Sequence, residues 1–472
     1  MRLPVTGLGS PDASSRALFA LTAVTFAMAL LVGGGQGSLA ESLVSLPALL
    51  LIVLSAFRAG TTELHCARMR WFWLLPAGLL ALPVLQLVPL PHASWSHLPG
   101  RAPLAAGLAT AGAAISPGAW TVSPIATEGV LWSALVPAAV FMGASLLDEA
   151  RRRALVLVAL AFAGLSAFIG LWQLMEGPTS ALYLYRITNE GEAVGLFANR
   201  NHLASLLAIS LPVAAGVLAD RIRRRSHAIR DLQVWLLTAL VVLLSVAVTA
   251  THSRAGFALF MLSVLASSVV LFRARDSRNV ARTRLWLQLG AGLACVLIVQ
   301  LTLYGMLSRL DKDPLDEYRW TLVENTIQAA GPARGIGYGL GTFVQAYDEI
   351  GDASADIPSY VNHAHNDYVE LWLEGGVVAM ILIFAALAMI GWQVFLQWRG
   401  SRDDAAGVTE SPGLEAGAAF ALVLLALHSI VDYPLRTLTL ATLASLLAAV
   451  LLCAARGRRR VGGAMAIPAK IH

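Results

Sequence analysis

The sequence predicts an all-α, polytopic membrane protein of about twelve transmembrane helices with one large loop on the outer side. Three observations predict it. Hydrophobic residues make up 57% of the 472 and charged residues only 13%, about half the charged share of a soluble chain. Apolar runs near twenty residues recur over the whole length, and roughly twenty residues span the hydrocarbon core. Arginines cluster between alternate runs, while lysine is confined to Lys312 and Lys470.

The runs, in order, are 17–37, 41–57, 71–90, 128–147, 154–175, 196–219, 232–251, 254–272, 285–306, 367–396, 416–434 and 435–455. The first is longer than a signal-peptide core and a second follows at once, so it reads as a retained helix. The second is short, and the final pair is split only by Asp432-Tyr433-Pro434. No linker separates soluble domains, so residues 1–472 read as a single membrane domain.

Arginine sets the orientation. One cluster holds Arg58, Arg68 and Arg70, and another Arg151, Arg152 and Arg153. Further clusters run over 221–230, 273–284, 399–402 and 456–460. With twelve spans, all six and both termini share one side, which the positive-inside rule makes the cytoplasm. Topology and anionic headgroups account for these charges, and no nucleic-acid partner is implied. The opposite side holds a loop at 91–127 and a larger periplasmic loop at 307–366, with a short helix expected near 315–330. Cys66, Cys295 and Cys453 give neither a disulfide framework nor a zinc spacing.

Candidate site residues lie at the outer helix ends. His363-Ala-His365-Asn366-Asp367 closes the large loop and runs straight into an apolar span. Polar groups are costly at the edge of lipid and often mark a site. Arg200 stands between Asn199 and Asn201, just before His202. Arg254 lies in the turn Thr251-His252-Ser253-Arg254, and Arg319 on the loop helix. Each arginine could be a snorkelling anchor. The surrounding Asn, His and Ser instead suggest a guanidinium fork on phosphate. Asn366 and Asp367 read as helix caps, with Glu370 at capping-box spacing. His428 and Asp432, four apart, read as a hydrogen-bonded pair between packed helices. With His363 and His365 they could hold a metal, but the spacing is not that of a strong site. Gly335 to Gly341 carries four glycines, yet it lacks the strand and acidic residue of a nucleotide loop and reads as a tight turn.

Several stretches together resemble the bacterial O-antigen ligase superfamily. They are Gly195-Leu-Phe-Ala-Asn-Arg-Asn-His-Leu-Ala with Leu211-Pro212, Ser253-Arg-Ala-Gly and Tyr318-Arg-Trp, then Gly335 through Phe343, His363 through Gly376, and His428-Ser-Ile-Val-Asp-Tyr-Pro-Leu. The resemblance covers about residues 160–435, in order. It implies a glycosyltransferase of the bacterial inner membrane with its site facing the periplasm. The donor would be a glycan on undecaprenyl diphosphate. The acceptor would be lipid A-core, another lipid-linked repeat, or a protein hydroxyl. Neither nucleotide sugar, cofactor nor metal is implied.

The residues fit that chemistry. A departing lipid diphosphate gathers negative charge that fixed cations stabilise. Arg254 and Arg319 are the first candidates, and Arg200, where many relatives differ, is the third. An attacking hydroxyl needs a base, and imidazole suits that role at neutral pH. His365 is the first choice and His363 the second. Asn199, Asn201, Asn366, Asp367, His428 and Asp432 would support them. A polymerase of the same superfamily shares these motifs. A polysaccharide-lipid transporter is the reading from another class, but it would place polar residues and broken helices near the midplane.

Overall fold

The computed structural model describes residues 13–35, 39–61, 67–113, 116–224, 231–273, 292, 305, 314–333, 335–350, 362–400 and 411–453. Among the described residues, eight helices are long and apolar enough to cross a membrane, and three shorter apolar helices accompany them. The chain is an all-α polytopic membrane protein. The expected span at 285–306 lies outside the described residues, apart from two isolated positions. So do residues 307–313 of the large loop and the tail cluster.

The helices are α1 (Ala13–Val32), α2 (Leu39–Thr61), α3 (Ala67–Gln86), α6 (Pro124–Leu146), α7 (Glu149–Glu176), α8 (Arg200–Arg224), α9 (Leu232–Ala250), α10 (Arg254–Arg273), α13 (Asp367–Gly400), α14 (Pro412–His428) and α15 (Leu438–Leu452). The 91–127 loop carries two short helices, α4 (His92–Trp95) and α5 (Ala102–Thr110). A two-stranded antiparallel ribbon, β1 (Pro89–Leu90) with β2 (Gly118–Ala119), closes it. The large loop contributes α11 (Pro314–Ala330), where a helix was expected, and α12 (Phe343–Ile350).

Two boundaries differ from the sequence reading. The second span is a full-length helix of 23 residues, because Pro47 sits inside it without ending it. The eleventh span stops at His428, and the chain then crosses 429–437 as a polar corner with a 3-10 turn at Pro434–Arg436. Pro434 cannot continue a helix, and the Asp432 carboxylate accepts the Tyr433 N–H at 2.9 Å.

The centre of the bundle is α8. Its apolar stretch is wholly buried, against α7, α9, α10 and α14. Small residues bring α8 and α14 backbone to backbone. A Cβ added at Gly216 would lie 2.2 Å from the Gly413 carbonyl oxygen, and one at Gly417 would lie 2.3 Å from that of Pro212. Lipid offers no hydrophobic drive between helices, so close van der Waals contact does this work. At one end of the bundle the Asp220 carboxylate accepts the N–H groups of Gly413 and Leu414 at 2.8 and 2.9 Å. Arg221 pairs with Asp231 at 2.7 Å, and Arg152 reaches the Cys453 carbonyl. Among the described residues, Arg152 and Arg221 thus stand at that end.

At the other end α13 breaks. Gly376 has φ 55° and ψ −151°, a conformation that suits glycine. The break frees the Leu373 and Glu374 carbonyls. They accept the N–H groups of Tyr338 and Gly339 at 3.0 and 2.9 Å, and Gln86 Nε2 also donates to Glu374 O. The Gly335–Gly341 turn therefore fills the interruption, which keeps irregular backbone satisfied inside protein. Gly337 has φ 69°, and a Cβ there would lie 2.3 Å from the Glu374 backbone, whereas Gly335 faces open space. Gly337→Ala should lower stability by about 2 kcal/mol or more, and Gly335→Ala should be near neutral. Thermal unfolding of the two purified variants checks the contrast.

Candidate functional site

The polar corner at 428–437 meets the N-terminal ends of α8 and α13. Asn366 caps α13, its Oδ1 accepting the N–H groups of Tyr368 and Val369 at 3.0 and 3.1 Å. Its amide donates to the Ile430 carbonyl at 2.7 Å. Asp367 accepts from Ser429 Oγ at 2.8 Å and from the Leu435 N–H at 3.2 Å. Glu370 does not close a capping box on Asn366. It accepts instead from the Ala364 N–H at 2.9 Å and lies 2.7 Å from His363 Nδ1, so it fixes the histidine segment rather than the helix start.

Tyr433 is the hub of the candidate site. The His363 ring stacks on it at 4.1 Å, and the rings of His202 and His365 meet it edge-on at 4.9 and 5.0 Å. Asn199 Nδ2 donates to its hydroxyl at 3.4 Å, while Asn199 Oδ1 accepts the Asn201 N–H at the start of α8. His365 Nδ1 is 3.6 Å from Asp432. That nitrogen is buried, while the side chain as a whole keeps 22% exposure. Burial opposes ionisation of Asp432, but His365, His202 and His428 hold its carboxyl well below the ordinary value. Burial and the Asp432 charge both push the Tyr433 hydroxyl up.

Beneath this group lies a buried ion network. Arg436 reaches Glu374 at 2.7 Å, Glu370 at 3.5 Å and Asp367 at 3.8 Å. Burial works against its charge, yet the three carboxylates raise its pKa above the ordinary guanidinium value. Glu374 also accepts the Phe343 N–H that opens α12, a favourable place for a carboxylate.

The arginine candidates separate into two groups. Arg319, half-buried on α11, lies within the electrostatic field of both Tyr433 and His428. Arg200 and Arg254 stand on the flank. Arg200 pairs with Glu192 at 3.0 Å, and the other Glu192 oxygen lies 2.6 Å from His252 Nδ1. Arg254 follows at the start of α10, where Ser253 Oγ accepts the Gly256 N–H. Among the described residues, His252 and His365 are the two non-glycine residues with positive φ, 49° and 52°. Such strain persists where surrounding structure fixes it, commonly at functional sites.

Residues that sequence reasoning did not select are central here: Arg436, Glu370, Glu374, Tyr433, His202 and Glu192. Glu370 and Glu374 carried a signal, since two acids four apart on an apolar span must share a partner. Arg436 carried one only as a lone arginine outside the cytoplasmic clusters. Among the described residues, no group of three or more His, Cys, Asp or Glu is arranged to hold a metal ion.

Comparison with known proteins adds a family. Residues 239–384 match the model described as O-antigen ligase. The matched stretch takes in α10, α11, the glycine turn, the two histidines and the upper part of α13. Over those residues the chain is similar to the O-antigen ligase family. No curated protein matches the chain.

Removing Arg436 would leave three buried carboxylates without their counter-charge, which typically costs about 3–5 kcal/mol. Arg436→Ala should therefore unfold well below the parent protein, and Arg436→Lys should fall between them. Thermal unfolding at pH 7 reads the order, and equal melting of the parent and Arg436→Ala would remove the network from the folding account.

Proposed function

We propose that the protein is a membrane glycosyltransferase that moves a glycan from undecaprenyl diphosphate to an acceptor hydroxyl, with lipid A-core as the preferred acceptor class. The carrying observation is the packing of the His363 and His365 rings against Tyr433 at one end of a membrane bundle, with both histidines inside the stretch that matches the O-antigen ligase family.

The arrangement suits displacement at an anomeric carbon. His365, partly exposed and with a carboxylate near Nδ1, takes the hydroxyl proton on Nε2 as the new C–O bond forms. The anomeric C–O bond to the diphosphate breaks, and the electron pair leaves on the phosphate oxygen. Arg319 and Arg254 stabilise that charge by hydrogen bonding to the leaving group. Arg200, engaged by Glu192, serves the same anion from the flank. His363, fixed by Glu370, shapes the wall beside Tyr433. Asn199, Asn201, Asn366 and Asp367 hold the helix ends that carry these groups.

Transfer from purified donor lipid to acceptor, with purified variants, tests the reading. His365→Ala should lose roughly 10²–10⁴-fold in rate, the usual scale for general acid–base catalysis, and His363→Ala should lose less. Arg254→Lys and Arg319→Lys should each weaken transfer, by about 1.5–3 kcal/mol per charged hydrogen bond lost. Full activity of His365→Ala would refute the base assignment. In a deletion strain, long glycan retained on undecaprenyl diphosphate but lost from the acceptor marks a ligase, and single repeats on the acceptor mark a polymerase.

The site is assigned to the periplasmic side of the inner membrane, because Arg152 and Arg221 stand at the opposite end of the bundle. Ile187, 88% exposed near the site end, and Ala150, exposed at the arginine end, serve as reporters. In a cysteine-free background, an impermeant thiol reagent should label Ile187→Cys in intact cells. It should reach Ala150→Cys only after the inner membrane is opened. The reverse pattern inverts the topology.

A further inference from the structure

The loop between α7 and α8 is tied to two other elements through one carboxylate. Glu192 Oε1 lies 3.0 Å from Arg200 Nη1, in the first turn of α8. Glu192 Oε2 lies 2.6 Å from His252 Nδ1, in the turn between α9 and α10. The backbone that carries Glu192 is fixed as well. The Tyr183 hydroxyl accepts the Gly191 N–H at 2.8 Å and donates to the Glu192 carbonyl at 3.0 Å. Asn189 Oδ1 accepts the Arg200 N–H at 3.0 Å. His252 keeps φ 49°, an uncommon conformation for a residue with a side chain, and one that surrounding contacts must hold.

Folding alone does not call for this arrangement. A partly exposed ion pair contributes little to stability, and the side chains here keep 24% exposure at Arg200, 15% at Glu192 and 30% at His252. The acid is the most covered of the three. What the contact does supply is order. An unrestrained arginine samples many rotamers, and fixing it before a ligand arrives removes that cost from binding. Glu192 is also poorly placed to act as a stand-in anion that swings away when a phosphate arrives. Its two oxygens are engaged by different elements, and Tyr183 holds its backbone. Arg200 follows Asn199, whose amide reaches the Tyr433 hydroxyl at 3.4 Å. The ordered guanidinium therefore belongs to the helix start that contributes Asn199 to the candidate site.

We propose that Glu192 is a positioning residue that presents Arg200 to the diphosphate of the lipid-linked donor, with His252 holding Glu192 in place; this rests on the diphosphate-donor reading above. The order of action runs from His252 to Glu192 to Arg200, and Arg200 alone of the three touches the anion. Replacing the carboxylate by a neutral amide loses the charge-assisted bond that fixes the guanidinium, while the guanidinium itself stays.

Undecaprenyl diphosphate, titrated into the purified full-length protein in detergent and followed by native mass spectrometry, tests this. The spectra read both Kd and the fraction of chains able to bind. The parent should bind undecaprenyl diphosphate at least about tenfold more tightly than undecaprenol, which lacks the anion. Glu192→Gln should raise Kd about 5–30-fold without changing the competent fraction. Glu192→Asp, which keeps the charge on a shorter arm, should fall between. His252→Asn, a side chain that tolerates positive φ, should raise Kd about 2–5-fold. In an Arg200→Gln background, Glu192→Gln should bring no further loss, because it acts through that guanidinium. A purely structural clasp would instead lower the melting temperature and the competent fraction and leave Kd unchanged, which overturns the positioning role. A tighter Kd in Glu192→Gln overturns it too, since the carboxylate would then be a competitor of the phosphate. So does an equal loss in the parent and Arg200→Gln backgrounds. Where Glu192→Gln does not fold, Glu192→Asp and His252→Asn carry the comparison, and an unchanged Kd in both has the same consequence. A parent protein that binds undecaprenol as tightly as undecaprenyl diphosphate sinks the donor reading itself. A parent that prefers the diphosphate beside an unaffected Glu192→Gln sinks the positioning role alone.

Discussion

Arg436 sits among three carboxylates, Glu374 at 2.7 Å, Glu370 at 3.5 Å and Asp367 at 3.8 Å, and the candidate site is built on that contact. Glu370 and Glu374 are both wholly buried, so they require a counter-charge. Each carboxylate then has a second task. Glu370 holds His363 and the Ala364 N–H. Glu374 opens α12 through the Phe343 N–H. Asp367 binds Ser429 and Leu435 in the corner between α14 and α15. One guanidinium thereby fixes the histidine segment, the small helix above it and the hairpin that carries Asp432 and Tyr433. A buried pair is weak evidence for net stability compared with an apolar isostere. Its value here is geometric, since it sets which faces of four elements meet.

The second constraint is backbone satisfaction at membrane depth. α13 is interrupted within three turns of its start, and the freed carbonyls are met by Tyr338, Gly339 and Gln86. Gln86 Oε1 in turn accepts the Leu340 N–H at 2.9 Å. The glycine turn is thus part of the wall and not a ligand loop. Leu322, Ala329, Tyr338, Phe343, Ala346 and Leu373 pack as a small core of their own beside it, which seats α11. A broken helix is a transporter feature as well. Here the break is filled by protein backbone and lies beside the histidines, so it serves to shape the site.

Much of the fold was legible because the bilayer writes it into composition. Apolar length marks a span, and arginine placement marks its ends. The helix near 315–330 and the tight turn at Gly335–Gly341 were legible from local pattern. The boundary at His428 was less so, because 416–434 is apolar enough to read as one run until Asp432 and Pro434. The histidines, Asp432 and Arg319 were legible as polar residues at outer helix ends. The grouping of the histidines around Tyr433 was not, since it joins residues from α8, the loop before α13 and the corner after α14.

The sequence by itself determined the solvent of this protein, its all-α class, the end of the bundle that gathers clustered arginines, and the polar motifs most exposed to chemistry. These follow from transfer free energies and from local hydrogen-bonding rules, which act residue by residue. Tertiary structure alone decided that Arg436 is the counter-charge for Glu370 and Glu374, that Glu370 belongs to His363 rather than to a helix cap, and that Glu192 ties Arg200 to His252. Those choices depend on which side chains approach within about 3 Å, and that is set by how far helices distant in sequence can close on glycine and alanine before their backbones touch.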